Sequence, residues 1–335
     1  MKKDIDYSNL KFGYYKTDYR YISKYKDGKW DDGVISTDEF VTLNESAAIL
    51  QYGQQVFEGM KAFRTVDDRV VLFRPDMNAE RFYNSALTMC MPPVDKDKFV
   101  KAACEVVKAN IDDVPPYGSG ATLYLRPYLF GTNPILGIKP ASEYEFRIFA
   151  CPAGPYFKGD GRMLDLCVSK FDRAAPRGTG GIKAGLNYAM SLRAYVKAHE
   201  EGYAENVYLD PSALTYIEET GGANILFVTK DNKIVTPKSD SILPSITRKS
   251  LMYVAKHYLN LELEERPIRI DEIDNFVECG LCGTAAVISF VGSITNDDKK
   301  TEFKTGPILG KLKDTLLDIQ KGRIEAPEGW IVEIE

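Results

Sequence analysis

Residues 178–192 read GTGGIKAGLNYAMSL. One lysine, Lys183, stands among glycines and a small alanine, and an asparagine and a helix-like run follow it. Two readings compete. The plain one is a surface lysine in a flexible loop. The other is a lysine that bonds covalently to something large and flat, with the glycines giving it room. A buried amine loses its proton more easily and becomes a nucleophile towards an aldehyde, and glycine lets a backbone approach closely. On the local sequence the loop is the better reading, so the rest of the chain has to supply the partner.

The chain has 335 residues, 44% of them hydrophobic, enough for two α/β domains with their own cores. Acidic residues outnumber basic ones, 48 to 43. That balance lacks the basic excess that grips a phosphate backbone and argues against a nucleic-acid partner. No apolar run approaches the roughly 18 residues of a membrane span. MKKDIDYSNLKFG, at the start, lacks the apolar core of a secretory signal. The six cysteines are scattered, mostly inside apolar runs, as expected of reduced thiols in a cytoplasm. His199 and His257 lie in helical runs without metal-ligand spacing. A histidine metal centre and a Ser-His-Asp triad are therefore disfavoured, and acid–base work falls to lysine, tyrosine or a carboxylate.

GMKAFRTVDDRVVLFR (59–74) predicts two strands around the turn VDD, with Pro75 well placed to start a helix. Residues 95–110 predict an amphipathic helix burying Phe99, Ala102, Ala103, Val106 and Val107. TLYLRPYLF (122–130) and EFRIFACP (145–152) read as strands. PAGPYFKGDG (152–161) punctuates the chain and marks a domain boundary. Beyond it come a strand at 164–170 and a helix from about Asn187, which is able to cap it, to Glu201. Strands follow at 205–210, 224–229 and 233–237, then a helix from Pro244–Ser245 to about Asn260. AAVISFVGSI (285–294) is a strand pair or one bent strand, and 306–322 a closing amphipathic helix. The irregular mix fits α+β better than a regular doubly wound sheet.

Other stretches admit a plain and a chemical reading. YIEETGGAN (216–224) is a hairpin turn with solvated acids, or a carboxylate facing a pyridine nitrogen, which an ionised partner keeps protonated. SILPSITRKSL (241–251) starts a helix, and helix starts bind anions. In CGLCGTAAV (279–287), Cys279 and Cys282 are a dithiol switch or two buried neighbours, and Gly283-Thr284-Ala285 offers a hydroxyl and N–H groups in a turn. Arginines near QYGQQVFEGMKAFR (51–64) and in YLRP (124–127) are edge residues or forks for a carboxylate or phosphate. Each signal is weak alone, but a lysine, an acid and two anion sites follow one another in the order that a phosphate-bearing pyridine cofactor requires.

FEGMKAF (57–63), LFRPDMNAERF (72–82), LYLRP (123–127), KAGLNY (183–188), EETGGANI (218–225), LPSITR (243–248) and GTAA (283–286) together resemble the branched-chain amino acid aminotransferases, fold-type IV enzymes that use pyridoxal 5'-phosphate. The resemblance runs from about residue 12 to the closing helix. FEGMKAF favours this family over the D-amino-acid aminotransferases and aminodeoxychorismate lyases of the same fold. It implies an α+β chain with a small N-terminal α/β domain (1–152), an interdomain loop (153–163) and a larger pseudo-barrel domain (164–335) carrying the cofactor lysine. It implies a cytoplasmic homodimer that binds no nucleic acid and no membrane, and whose partners are small molecules, amino acids and 2-oxo acids.

Residue by residue, Lys183 resembles the lysine that holds the cofactor and moves the substrate proton. Tyr188 resembles the phenol on O3′, and Glu219, rather than Glu218, the acid on the ring nitrogen. Arg81, the Ile246 and Thr247 N–H groups and Thr284 correspond to the phosphate cup. Ala285 and the Gly221-Gly222 turn are similar to the α-carboxylate contacts. Tyr52, Phe57 and Tyr124 match the pocket walls, and Arg126 the group facing the γ-carboxylate of glutamate. Tyr156 falls in the loop covering the site, and Leu136 and Ile138 resemble residues reaching the partner subunit's pocket. Gly222 stands where some relatives carry threonine, and Lys16, next to Tyr15, where some carry an aromatic.

Overall fold

The computed structural model describes residues 5–154 and 163–335. The chain divides into two compact units. Among the described residues, the first takes those up to Gly154 together with Lys183–Leu186 and Ile319–Glu335, and the second takes Met163–Ile182 and Asn187–Asp318.

The first unit is built on one antiparallel sheet. Its strands are β1 (Arg20–Lys26), β2 (Lys29–Trp30), β3 (Val34–Ser36), β4 (Gln55–Phe57), β5 (Met60–Arg64), β6 (Val70–Phe73), β7 (Thr122–Gly131) and β8 (Tyr144–Ala153). The turn read at VDD joins β5 to β6, with Ala62 opposite Leu72 and Arg64 opposite Val70. Thr65 Oγ1 donates to Asp67 at 2.6 Å, and Asp68 adopts the left-handed φ of 65° that aspartate tolerates. The α-helices that lie wholly in this unit, among the described residues, are α1 (Ala48–Tyr52), α2 (Pro75–Thr88) and α3 (Lys96–Ala109). Pro75 occupies the first turn of α2, where its missing N–H costs nothing. Asp95 caps α3, its carboxylate accepting the N–H groups of Asp97 and Lys98 at 3.0 and 3.1 Å. The five residues expected on the buried face of α3 are all buried. Phe99 meets Phe82 of α2 and Phe146 of β8, ring centroids 5.1 to 5.8 Å apart, which locks both helices to the sheet.

The second unit holds β9 (Leu164–Val168), β10 (Glu205–Leu209), β11 (Ile217–Thr220), β12 (Asn224–Thr229), β13 (Ile234–Pro237), β14 (Leu263–Arg266), β15 (Phe276–Gly283), β16 (Val287–Asn296) and β17 (Lys299–Glu302). The strand order is β11-β10-β9-β16-β15-β12-β13-β14, with β17 beside β16. Most pairs are antiparallel, but β9 pairs in parallel with both β10 and β16, and β13 with β14. This is α+β, as the sequence indicates. The order also dictates curvature. β11 and β12 stand five places apart, about 24 Å across a flat sheet. Gly221–Ala223 alone connects them, a reach of at most about 14 Å. The sheet must therefore curl, which is the physical content of the expected pseudo-barrel. Leu166, Val207, Ile225, Phe227, Leu281 and Val291 are among the residues that fill the core.

The helices associated with this half of the chain are α4 (Gly185–Glu200), α5 (Ile246–His257) and α6 (Pro307–Gln320). Two details differ from the sequence reading, and a third decides between alternatives that it left open. α4 starts two residues before Asn187, whose side chain does not cap it. Asn187 Nδ2 instead donates back to Thr179 O at 2.6 Å and Ile182 O at 3.0 Å, tying the glycine loop to the helix. The 285–294 stretch is a single strand, β16, whose register shifts against β9 between Val291 and Ser293. The closing helix is followed by one more strand, β18 (Ile331–Glu333), which pairs with β6, Ile331 opposite Phe73. The span 164–335 thus does not stay together: its last residues complete the first sheet, and Lys183–Leu186 join the first unit through β4. Three strand residues at the chain's end are too few for their periodicity to be read. No helix among the described residues is long and apolar enough to cross a membrane.

Glu278 on β15 anchors α6. Its buried carboxylate accepts the N–H groups of Ile308 and Leu309, at 3.2 and 2.9 Å, and Gly306 carries no Cβ because one would fall 1.8 Å from Glu278 Oε1. Glu278→Ala leaves two first-turn N–H groups unmet in the interior. We expect it to lower unfolding free energy by about 1–3 kcal/mol in denaturant titrations. An unchanged midpoint would show that the cap contributes nothing.

Candidate active site

The first unit carries the lysine. Its backbone is held on both sides. The Lys183 carbonyl accepts the Phe57 N–H at 3.0 Å, its own N–H donates to Ser85 Oγ at 3.3 Å, and Ala184 bridges to Val56 of β4. Nζ lies 4.8 Å from the centroid of the Phe57 ring, within reach of a cation–π attraction. A flexible loop has no such anchors. The glycines, however, have another purpose than the one the sequence suggests. A Cβ on Gly185 would sit 2.2 Å from Gln55 Oε1, one on Gly181 2.6 Å from Asp240 O, and one on Gly180 3.0 Å from both Ala175 O and Ser241 Cβ. They clear space for chain against chain.

Around Phe57 the same unit gathers Tyr124 and Arg126. The Arg126 guanidinium lies 4.9 Å from the Phe57 ring centroid and 5.4 Å from that of Tyr124, and its Nη2 donates to Tyr124 Oη at 3.2 Å. Its Nε is buried without a hydrogen-bond partner. Gly59 makes way for Tyr124, whose hydroxyl would lie 2.0 Å from a Cβ there. Tyr52, half exposed, donates to the carbonyl of Leu136. Leu136 and Ile138 are each 90% exposed. Lys16 is exposed and pairs with Glu39 at 2.7 Å, beside an exposed Tyr15. Tyr156 lies outside the described residues.

Arg81 is buried on α2 and gripped by a partner the sequence reading did not single out. Glu58, at 0% exposure, accepts from Arg81 Nε at 2.6 Å and Nη2 at 2.8 Å. The same carboxylate accepts from Asn78 Nδ2 at 2.7 Å and the Gly59 N–H at 3.1 Å. A bidentate, fully hydrogen-bonded pair of this kind fixes the fork's orientation.

The second unit carries the acids. Consecutive residues of β11 face opposite ways, and both carboxylates are buried. Glu218 accepts from the hydroxyls of Ser239, at 2.9 Å, and Ser241. Glu219 is bound differently. Its Oε1 accepts the Leu243 N–H at 2.9 Å and pairs with Arg173 at 3.0 Å, while Oε2 accepts from Asn224 Nδ2 at 2.6 Å. Segment 238–245 therefore wraps the edge strand and leads into α5. Ser245 caps that helix by accepting the Arg248 N–H at 3.1 Å, so the cap does not meet the earlier N–H groups, those of Ile246 and Thr247. They sit at the positive end of the helix. Tyr188 lies half-buried in the first turns of α4.

Two turns stand side by side at one end of this sheet. Asn224 pairs with Cys282, which brings the Gly221–Ala223 turn beside Thr284–Ala286, Gly222 O lying 3.8 Å from the Cβ position of Gly283. Gly222 is exposed, and Thr284 and Ala285 are half-buried. Just past the second turn, Val287 has φ of 61°, a strained conformation for a β-branched residue that concentrates at functional sites. Behind the first turn, Glu205 is buried, and burial pushes its carboxyl pKa up against the opposing effect of the Asn206, Gly221 and Gly222 backbone N–H groups. A Cβ on Gly221 would lie 2.8 Å from Glu205 Oε1. Cys279 and Cys282 fall on opposite faces of β15, both buried. Burial raises the Cys279 thiol pKa well above normal and that of Cys282 to about 12. They are the two buried neighbours of the plainer reading, not a reactive dithiol.

A strand-held lysine, a buried carboxylate on an edge strand and a helix start whose first two N–H groups lie outside the reach of its cap, spread along one chain in that order, define a class of enzyme. Residues 55–294 match Amino-transferase class IV, and the chain belongs to that family. It is 51% identical to the branched-chain-amino-acid aminotransferase of Haemophilus influenzae, over 99% of this chain and all of that one. Among solved structures it resembles the Escherichia coli branched-chain amino acid aminotransferase, with a TM-score of 0.82 at 27% identity, covering 96% of this chain and 100% of that one. It also resembles the branched-chain amino acid aminotransferase from Thermobaculum terrenum in its PLP-form, with a TM-score of 0.78 at 26% identity, covering 95% and 98%.

Glu58, Arg173 and Glu205 escaped the sequence reading. Glu58 was in view inside FEGMKAF, but nothing local pairs it with Arg81, 23 residues on. Arg173 and Arg177 both flank the glycine run, and nothing in FDRAAPRG separates them. Truncating Glu58 to alanine strands a buried guanidinium. We expect a loss of about 3–5 kcal/mol in chemical denaturation, and a loss below about 1 kcal/mol would mean that solvent reaches Arg81.

Proposed function

We propose that this protein uses pyridoxal 5'-phosphate to transfer the amino group of L-leucine, L-isoleucine or L-valine to 2-oxoglutarate, giving branched-chain 2-oxo acids and L-glutamate. The observation that carries the reading is Lys183, fixed by its own backbone to β4 and Ser85 with Nζ over Phe57. The donor set fits the cofactor. An amine suits its aldehyde, a buried carboxylate its ring nitrogen, and an arginine and helix N–H groups its phosphate. When bound, the cofactor supplies an electron-withdrawing ring that takes up the electron pair of the substrate's Cα–H bond.

The chain's own residues do the rest. Lys183 Nζ takes the Cα proton and returns it. Glu219 presents its negative charge to the ring nitrogen, and Tyr188 its hydroxyl to O3′. Arg81 binds the phosphate with Thr284 and the Ile246 and Thr247 N–H groups. Ala285 and the Gly222 turn receive the α-carboxylate. Tyr52, Phe57 and Tyr124 form an apolar wall for the branched side chain. An apolar wall alone would pay a large desolvation cost for glutamate's second carboxylate. Arg126 at its edge, with a buried Nε lacking an acceptor, meets that need. The exposure of Leu136 and Ile138 supports a homodimer in which they reach the partner's pocket. Six free cysteines fit a reducing cytoplasm.

Lys183→Ala should abolish turnover of L-leucine with 2-oxoglutarate and the absorbance band of lysine-bound cofactor. Retained turnover would sink the assignment, and a preference for D-alanine over L-leucine would move it to another activity of the fold. Arg126→Met removes a charged donor worth about 1.5–3 kcal/mol. It should raise KM for 2-oxoglutarate about 10- to 100-fold and leave KM for L-leucine within about threefold. Equal changes in both would place Arg126 outside the γ-carboxylate's reach.

A further inference from the structure

Arg173 follows β9 and precedes the glycine run, and its side chain is 7% exposed. Its Nη2 lies 2.8 Å from Gly180 O, 2.6 Å from Ser241 O and 3.0 Å from Glu219 Oε1. These acceptors belong to three separate segments. Gly180 is in the loop that leads to Lys183, Ser241 in the segment that leads into α5, and Glu219 on β11. The packing around this point leaves little slack. Gly180 and Gly181 lie so close to Asp240 and Ser241 that added Cβ atoms would collide. Ser241 Oγ in turn donates to Glu218.

A carboxylate taken out of water keeps its charge only with a charged or multiply hydrogen-bonded partner. Glu218 accepts from the hydroxyls of Ser239 and Ser241. Glu219 has a guanidinium, a backbone N–H and an amide N–H converging on it. We propose that Arg173 is a positioning residue that holds Glu219 as a charged, aimed carboxylate and sets the glycine loop and the approach to α5 in register with it. All three acceptors converge on the one nitrogen Nη2, so a lysine ammonium, with three N–H donors on a shorter and more flexible stem, can replace the arrangement only in part.

Because this rests on Glu219 meeting the cofactor's ring nitrogen, the test is a double-mutant cycle on binding rather than on rate. Apoprotein of the wild type, Arg173→Met, Glu219→Gln and the double variant is titrated with pyridoxal phosphate, and each is checked by circular dichroism and thermal melting. We expect each single change to weaken cofactor binding at least about tenfold. The double variant should be no more than about twofold weaker than the worse single, and Arg173→Lys should recover part of the loss. At saturating cofactor, Arg173→Met should lower kcat with KM for L-leucine within about twofold. Full additivity of the two losses would overturn the proposal by making Arg173 a structural residue independent of Glu219. So would wild-type binding by Arg173→Met beside weakened Glu219→Gln. Wild-type binding by Glu219→Gln would overturn both this and the role proposed for Glu219. If Arg173→Met does not fold, Arg173→Lys carries the same cycle.

Discussion

A three-residue turn constrains the second unit. Gly221–Ala223 must carry the chain from one edge strand to a strand five places away, and only a curled sheet lets it. The pairing of β12 with β15 puts the 221–223 turn beside the Thr284–Ala286 turn at one end of the sheet, and the strand order leaves β11 as an edge that segment 238–245 can wrap. Glycine at 221 follows from the same geometry, since the turn packs on Glu205 more closely than a side chain permits. Thr220 closes the turn, its N–H and hydroxyl both donating to Ala223 O, at 2.9 and 2.8 Å.

Both units use one device for burying charge. In the first, Glu58 grips Arg81 in a bidentate fork. In the second, Arg173 meets Glu219 through one nitrogen. Such pairs add little net stability, because desolvation cancels much of the attraction. What they do supply is direction. Each carboxylate is buried and fixed by further hydrogen bonds, from Asn78 and Gly59 to Glu58 and from Asn224 and Leu243 to Glu219. Preorganised charge of this kind is what a site needs to stabilise charge changes elsewhere without rearranging.

Much of the secondary structure was legible because its signals are local. The buried stripe of α3, the proline opening α2 and the VDD turn each depend on neighbours within a few residues. The candidate residues were legible as an ordered set rather than singly. What stayed hidden depends on contacts between distant segments. Asn187 reads as a cap by position, but the loop behind it offers two better carbonyls. The glycines before Lys183 read as room for a cofactor, whereas the backbone of residues 240–241 occupies that room. Glu58 and Arg173 are ordinary charged residues until their partners arrive from 23 and 46 positions away.

The strand at Ile331–Glu333 has a consequence for how the molecule is made. It hydrogen-bonds to β6, an early strand, and Trp330 beside it packs on Phe73 and lies 4.4 Å from the Arg74 guanidinium. A growing chain therefore exposes the open edge of β6 throughout synthesis of the entire second unit, and an open edge is a template for wrong pairings. The second sheet can close before the first, although its strands are made later, so order of synthesis and order of completion are reversed.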